Sequence, residues 1–269
     1  MRHVFFALTF LAAACHRGPE APTFDGANTN DIAAVRSHGE RLVHVLGCTG
    51  CHGDRLDGDL FTKDNPQYGP LYASNLTVLI SHYSDAQLDG IIRNGTHPER
   101  QAVWGMPSQI FHNLSDADFH AVVAYLRSLK PTGTRTPLPQ FSAQDRKDIA
   151  SGDYKAAIEM VPEFAKKQPI ELGPQYALGR YIASVTCEEC HDSDLTGNSA
   201  GAPLHIPDLI VVGGYSPADF DKLVTTGIPT PSRKLNPMMA GVAVTRFSHL
   251  RPHERSALYA YLKARAEHR

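Results

Sequence analysis

Several things that commonly announce a function are scarce here. A formal net charge of −2 over 269 residues provides no basic excess, which argues against a nucleic-acid partner. Beyond the N-terminus no apolar run reaches the ~20 residues of a membrane-spanning helix. No activated nucleophile, carboxylate pair or substrate cleft can be picked out, and no βαβ setting. Cysteine is sparse as well: five residues, four of them in two short motifs. What remains is a globular composition, 42% hydrophobic and 20% charged, at a length suited to two domains of ordinary size.

The four clustered cysteines define Cys48-Thr49-Gly50-Cys51-His52 and Cys187-Glu188-Glu189-Cys190-His191. Cys-x-x-Cys-His is the attachment pattern of c-type haem. Two thiols three positions apart on one helical turn reach the two vinyl groups of one porphyrin. The histidine that follows is aimed at the iron as proximal ligand. Paired Cys-x-x-Cys motifs also build zinc sites, but zinc ribbons space their pairs by about 15–20 residues, and Cys51 and Cys187 lie far outside that range. A thioredoxin-like reading needs the absent βαβ unit. The expected cofactors are two covalently bound haem c groups.

Cys15 is the fifth cysteine. Arg2 and His3 precede an apolar run from Val4 to Ala14 that ends in three alanines, a signal-peptide pattern over 1–14. Leu11-Ala12-Ala13-Ala14-Cys15 resembles a bacterial lipobox, with the leucine one place upstream of its usual position. Lipidation of Cys15 is expected, with simple secretion and a free thiol as the alternative. A lipid anchor would then be the only membrane link, and the location the periplasm.

Residues 15–30 read as a flexible stalk. From a cap at Asn30 or Asp31, Ile32, Val35, Leu42, Val43 and Leu46 predict a helix running into the first motif. A second helix is predicted to open at Ser84 and stop at Asn94-Gly95, and a third to start at Ser115 with an inner stripe of Phe119, Val122, Val123, Leu126 and Leu129. Residues 131–173 hold prolines 131, 137, 139, 162 and 169; they read as a surface linker with a short amphipathic helix between Ala143 and Val161. The pattern then repeats. Gly39, Leu42 and Cys48 are echoed by Gly179, Ile182 and Cys187. His52, Leu56 and Gly58 match His191, Leu195 and Gly197, and Tyr83 to Gly95 matches Tyr215 to Gly227. Phe111, Leu114, Tyr125 and Leu126 match Phe247, Leu250, Tyr261 and Leu262. The fold expected is all-α: two tandem domains, 31–130 and 174–269, each wrapping a few helices around one haem.

Methionine is a common sixth ligand to a His-bound c-haem. Met106 stands in a Gly-Met-Pro loop, and the proline lowers the entropy lost on holding its sulfur in place. In the second copy Met238 and Met239 compete, and a count from the preceding glycine points to Met238 without preserving loop length. Ala240 replaces the proline, so a looser loop and a weaker sixth bond are expected there. His38, His44, His82, His97, His112, His205 and His249 read as ordinary polar or packing residues, and Tyr125 and Tyr261 as core. Arg93 and Trp104 are candidate partners of haem propionates.

The two motifs, Asn75-Leu76-Thr77, Met106-Pro107, Ala124-Tyr125-Leu126 and Ala260-Tyr261-Leu262 resemble the class I cytochromes c. In particular they resemble diheme proteins whose repeats look like the cytochrome subunits of bacterial membrane-bound alcohol and sugar-acid dehydrogenases. The resemblance covers roughly 31–130 and 174–266. It implies Met239 as the second methionine ligand, and carbonyls near Pro70 and Pro203 as acceptors for the histidine ring N–H. It implies an electron carrier serving redox proteins such as a dehydrogenase, a terminal oxidase or another cytochrome, and no enzyme. The three-domain length of the dehydrogenase subunits is not matched. A diheme enzyme of peroxidase or thiosulfate-oxidising type, or a small-ligand sensor, is the alternative that an open second site would produce.

Overall fold

The computed structural model describes residues 21–198 and 205–268. The signal segment 1–14, Cys15 and Pro203 lie outside them. The first half runs α1 (Ile32–Val45), α2 (Cys48–His52), α3 (Leu76–Leu79), α4 (Asp85–Asn94), α5 (Ser108–Phe111) and α6 (Asp116–Leu126). A two-stranded antiparallel ribbon, β1 (Asp59–Leu60) with β2 (Tyr72–Ala73), pairs Asp59 with Ala73. The predicted caps form. Asp31 accepts from the Ala33 amide at 2.9 Å, Ser84 and Gln87 close a capping box, and Ser115 accepts from the Asp118 amide. Gly95, at φ +66°, ends α4 in a left-handed conformation open to glycine at little cost.

The second half repeats this plan with α9 (Ala177–Thr186), α10 (Glu188–His191), α11 (Pro217–Thr226), α12 (Pro237–Thr245) and α13 (Pro252–Glu267). In both halves the first long helix crosses the last at a glycine. A Cβ at Gly39 would lie 1.9 Å from the Ala121 carbonyl oxygen, and one at Gly179 would lie 2.1 Å from that of Ala257. The apolar stripes meet across these crossings: Leu42 and Val43 with Val122 and Leu126, Ile182 and Val185 with Leu258 and Leu262, all buried. Each such side chain contributes roughly 1.5–3 kcal/mol by leaving water. Tyr261 is fully buried and donates to the Ile170 carbonyl, whereas Tyr125 is half-buried.

The intervening segment is not one helix but two, α7 (Ala143–Ser151) and α8 (Ala157–Ala165), split at Gly152 in a left-handed conformation. It packs on the first half. Asp145 accepts from the Gly69 amide at 2.7 Å, and the Ala157 amide donates to the Val103 carbonyl at 2.9 Å.

The two halves share one continuous apolar core. The end of the expected stalk is part of it: Phe24 is 1% exposed, packs on Tyr181 at 5.4 Å between ring centroids, and donates its amide to Asp118. Asp118, itself buried, also accepts from the Tyr181 hydroxyl at 2.7 Å and pairs with His38 at 2.8 Å. Arg41 forks onto the buried Glu254 at 2.8 and 2.9 Å. His44 stacks on His249, ring centroids 4.4 Å apart. The Tyr181–Asp118, Arg41–Glu254 and His44–His249 contacts cross from one half to the other and hold the first motif close to the second.

Candidate functional site

Each Cys-x-x-Cys-His stretch folds as the predicted single turn. Gly47 at φ +77° and Gly53 at φ +79° bracket α2; Cys187 ends α9 and opens α10. The chain after each histidine follows the same path. Gly58 donates to the His52 carbonyl and Gly197 to that of His191, both at 2.8 Å. Leu56 and Leu195 are buried with φ +58° and +66°, a conformation that costs a branched side chain energy and is held only by strong surroundings. Their carbonyls accept from the Leu76 and Leu209 amides, which brings the next stretch of loop beneath the imidazole.

That loop supplies the histidine's partner. His52 Nδ1 lies 2.7 Å from the Ser74 carbonyl oxygen, and His191 Nδ1 lies 2.8 Å from that of Pro207. The acceptors are thus four residues beyond Pro70 and Pro203, where they were expected. A carbonyl can only accept, so Nδ1 carries the proton and Nε2 keeps its lone pair for a metal. Burial lowers both histidine pKa values, against the opposing carbonyl hydrogen bonds. Neutral imidazole is the ligating form.

Each motif opens onto an apolar cavity, of about 1490 Å³ at the first and about 1380 Å³ at the second, open mouths included. Met106 lines the first with Trp104 and Pro107. Met238 and Met239 both line the second, but Met238 is 58% exposed whereas Met239 is half-buried against the core. Met239 stands in the first turn of α12, with Pro237 at N1 and Asn236 capping the Met238 amide at 2.8 Å. The second methionine therefore rides on a capped helix, not on the looser loop expected from the missing proline.

Burial pushes the Cys48 thiol up to about 12 and Cys187 up to about 11, and raises Cys51 and Cys190 as well. No cluster of three or more His, Cys, Asp or Glu side chains fit to hold a metal exists among the described residues. Two apolar slots, each with two thiols, one oriented neutral imidazole and a methionine sulfur within reach (Met106 in the first, Met238 or Met239 in the second), fit haem c.

Other candidates separate. Arg93 is tied to Asp89, to Asp116 at 2.7 Å and to the Leu114 carbonyl, and lies over Phe119; it joins α4 to α6 and does not line the cavity. Arg100, missed in the sequence, does line it. His97 and His205 reach the first and second cavity walls, whereas His82 and His112 are exposed. Sequence reading also missed Arg246 and Glu189, which lie between the two cavities. Nothing local marks them, since Arg246 meets Leu46, two residues ahead of the first motif, from 200 positions away.

Residues 37–130 match the profile of the cytochrome c family. Over 263 residues the chain is 25% identical to a diheme cytochrome c-type protein of Cereibacter sphaeroides, covering 86% of both chains. It is 25% identical over 224 residues to a subunit of the nicotinate dehydrogenase of Pseudomonas putida, covering 79% of this chain and 19% of that one. Over 93 residues it is 32% identical to the CcoP component of a cbb3-type cytochrome c oxidase of Helicobacter pylori, covering 35% of this chain and 27% of the relative. The chain thus spans about a fifth of the dehydrogenase relative and about a quarter of the oxidase one.

Proposed function

From a chain that carries a cytochrome c domain and is similar along most of its length to a diheme c-type cytochrome, we propose a periplasmic carrier that passes electrons between redox proteins through two His/Met-ligated haems. Cys48, Cys51, His52 and Met106 would hold one, and Cys187, Cys190, His191 and Met239 the other. The domains would be 31–130 and 174–269, with export through segment 1–14 and tethering at a lipidated Cys15. Among the described residues no helix is long and apolar enough to cross a membrane.

The observation that carries the reading is the duplicated histidine support: the same left-handed leucine and the same Nδ1-to-carbonyl bond at both motifs. When bound, each haem supplies a one-electron iron couple. The chain's own residues keep the imidazoles neutral and oriented, exclude water with apolar walls, and offer a methionine at each cavity. Such rigid surroundings keep reorganisation on redox change small. Two relatives are named as components of a nicotinate dehydrogenase and of a cbb3-type oxidase, which supports a dehydrogenase or an oxidase as a partner.

The test is an absorption spectrum of the matured protein in both redox states. Two covalent haems per chain, with far-red methionine-to-ferric absorption scaling to both, are expected. Carbon monoxide binding readily to one ferrous site, or a far-red band accounting for a single haem, would replace the carrier with a diheme enzyme open at one site. Peroxide and thiosulfate would then be tried as substrates.

A further inference from the structure

Between the two cavities lies one ion pair. Arg246 Nη1 donates to Glu189 Oε2 at 2.6 Å, Nη2 to the Leu46 carbonyl at 3.1 Å, and Nε to the Val45 carbonyl at 3.3 Å. The guanidinium thus joins the end of α1, two residues ahead of Cys48, to the residue directly before Cys190. Its side chain is 11% exposed and that of Glu189 is 32% exposed. Arg246 lines the second cavity, while Glu189 lines the first. The first half makes room for it: a Cβ at Gly47 would stand 2.7 Å from Arg246 Cζ.

The arginine belongs to the second copy alone. Its counterpart, the residue before Phe111, is Ile110, which is fully buried and apolar. Arg246 also ends α12, the helix that carries Met239. One residue therefore touches the approach to the first motif and the interior of the second through its guanidinium, and closes the second methionine's helix through its backbone. A merely structural arginine has no need to face both sites.

We propose that Arg246 is a positioning residue for electron transfer between the two sites: with Glu189 it forms the seam an electron crosses, and its charge biases both sites toward the reduced state. The step moves one electron, oxidising the donor site and reducing the acceptor, and involves no proton, bond change or further reactant. A cation held in a partly desolvated seam favours the form carrying the extra electron, since such interactions are screened less than at the open surface. The proposal rests on the two-haem reading above.

The test uses the full-length, matured protein and its Arg246→Gln, Arg246→Lys and Glu189→Gln variants. Covalent haem per chain is counted first, then both reduction potentials are titrated. Arg246→Gln leaves Glu189 uncompensated, so both sites should become harder to reduce, by about tenfold in the equilibrium constant, or roughly 59 mV for a one-electron couple. Arg246→Lys keeps the charge and should retain most of both potentials. Glu189→Gln removes the opposing charge and should raise both. If Arg246→Gln fails to mature, the other two variants decide. A shift confined to the second site, or none at either, overturns the proposal. Fewer than two haems in the unaltered chain would defeat the carrier reading itself, and this seam with it; two haems with unmoved potentials defeat the seam alone.

Discussion

His52 and His191 share the Nδ1-to-carbonyl bond and the left-handed leucine that follows them, whereas Met106 and Met239 are braced by different parts of the chain. In the first half the bracing comes from the intervening segment. A Cβ at Gly95 would press on the α8 backbone, 2.6 Å from the Ala157 carbonyl carbon. Trp104, two residues before Met106, packs against Phe141 and Tyr154 at 5.3 and 5.1 Å between ring centroids. In the second half the matching Gly227 presses instead on Ala240, within α12 itself. α12, longer than its counterpart α5, takes the place that α8 takes in the first half. Two solutions to one problem imply that the histidine side is dictated locally and the methionine side by whatever packs on it.

The largest effect should fall where the halves are most alike. Alanine at Gly39 or Gly179 would set a Cβ about 2 Å from a backbone oxygen, which no side-chain movement relieves. Each change should destabilise the protein by about 3 kcal/mol or more and lower the haem content of the matured chain. Thermal unfolding followed by circular dichroism checks this. A tolerant Gly179 beside an intolerant Gly39 would mean that the second crossing is not equivalent to the first.

The next effect separates the motifs themselves. Glu188 occupies the position of Thr49, yet it is fully buried and neither carboxylate oxygen has a hydrogen-bond partner. Burial pushes its carboxyl up to about 9, against the opposing influence of Ser184 and Arg180. With its folded pKa above the unfolded value, its contribution to stability is intact below about pH 4.5. It is lost at about 1.4 kcal/mol per pH unit as pH rises toward 9. Glu188→Gln should therefore stabilise the protein at pH 7 by about 3 kcal/mol at most, with the advantage vanishing near pH 4.5. Denaturant unfolding across that range tests it; an advantage independent of pH would assign the gain to packing.

These contrasts explain what a reader of the sequence can reach. The motif turns, the helix caps at Asp31, Ser84 and Ser115, and the duplication are encoded within a few positions of where they act, and each is visible as residue type and spacing. The acceptor carbonyls at Ser74 and Pro207 are backbone atoms, so no side chain advertises them; only the loop's path does. The seat of Phe24, the Arg41–Glu254 fork and the Arg246 seam join residues far apart in the chain, and composition reads them as stalk or surface. Arg93 misled for the reverse reason: nearness to the pocket in sequence was taken for a role in it, while Asp89 and Asp116 claim its guanidinium.

The smallest predicted effect bears most directly on the difference between the methionines. Tyr154 belongs to the intervening segment and meets the first half at Trp104 and in the neighbourhood of Gly105. Its hydroxyl is buried without a partner, so Tyr154→Phe should be close to neutral: it removes a polar group that gains nothing from its surroundings. Tyr154→Ala removes the ring against which Trp104 rests, at a cost of about 2 kcal/mol for a half-buried aromatic. That loss should appear as earlier thermal bleaching of the first site's methionine absorption, with the second site's unchanged. The two are told apart by comparison with Met106→Ala, which removes the first contribution outright. If Tyr154→Ala weakens both sites equally, the segment supports the whole molecule, and the different bracing of the two methionines is a matter of packing without consequence for the ligand. If it weakens the first alone, residues 131–173 are a working part of one site, and the two sites can be tuned separately by substitutions that touch neither motif.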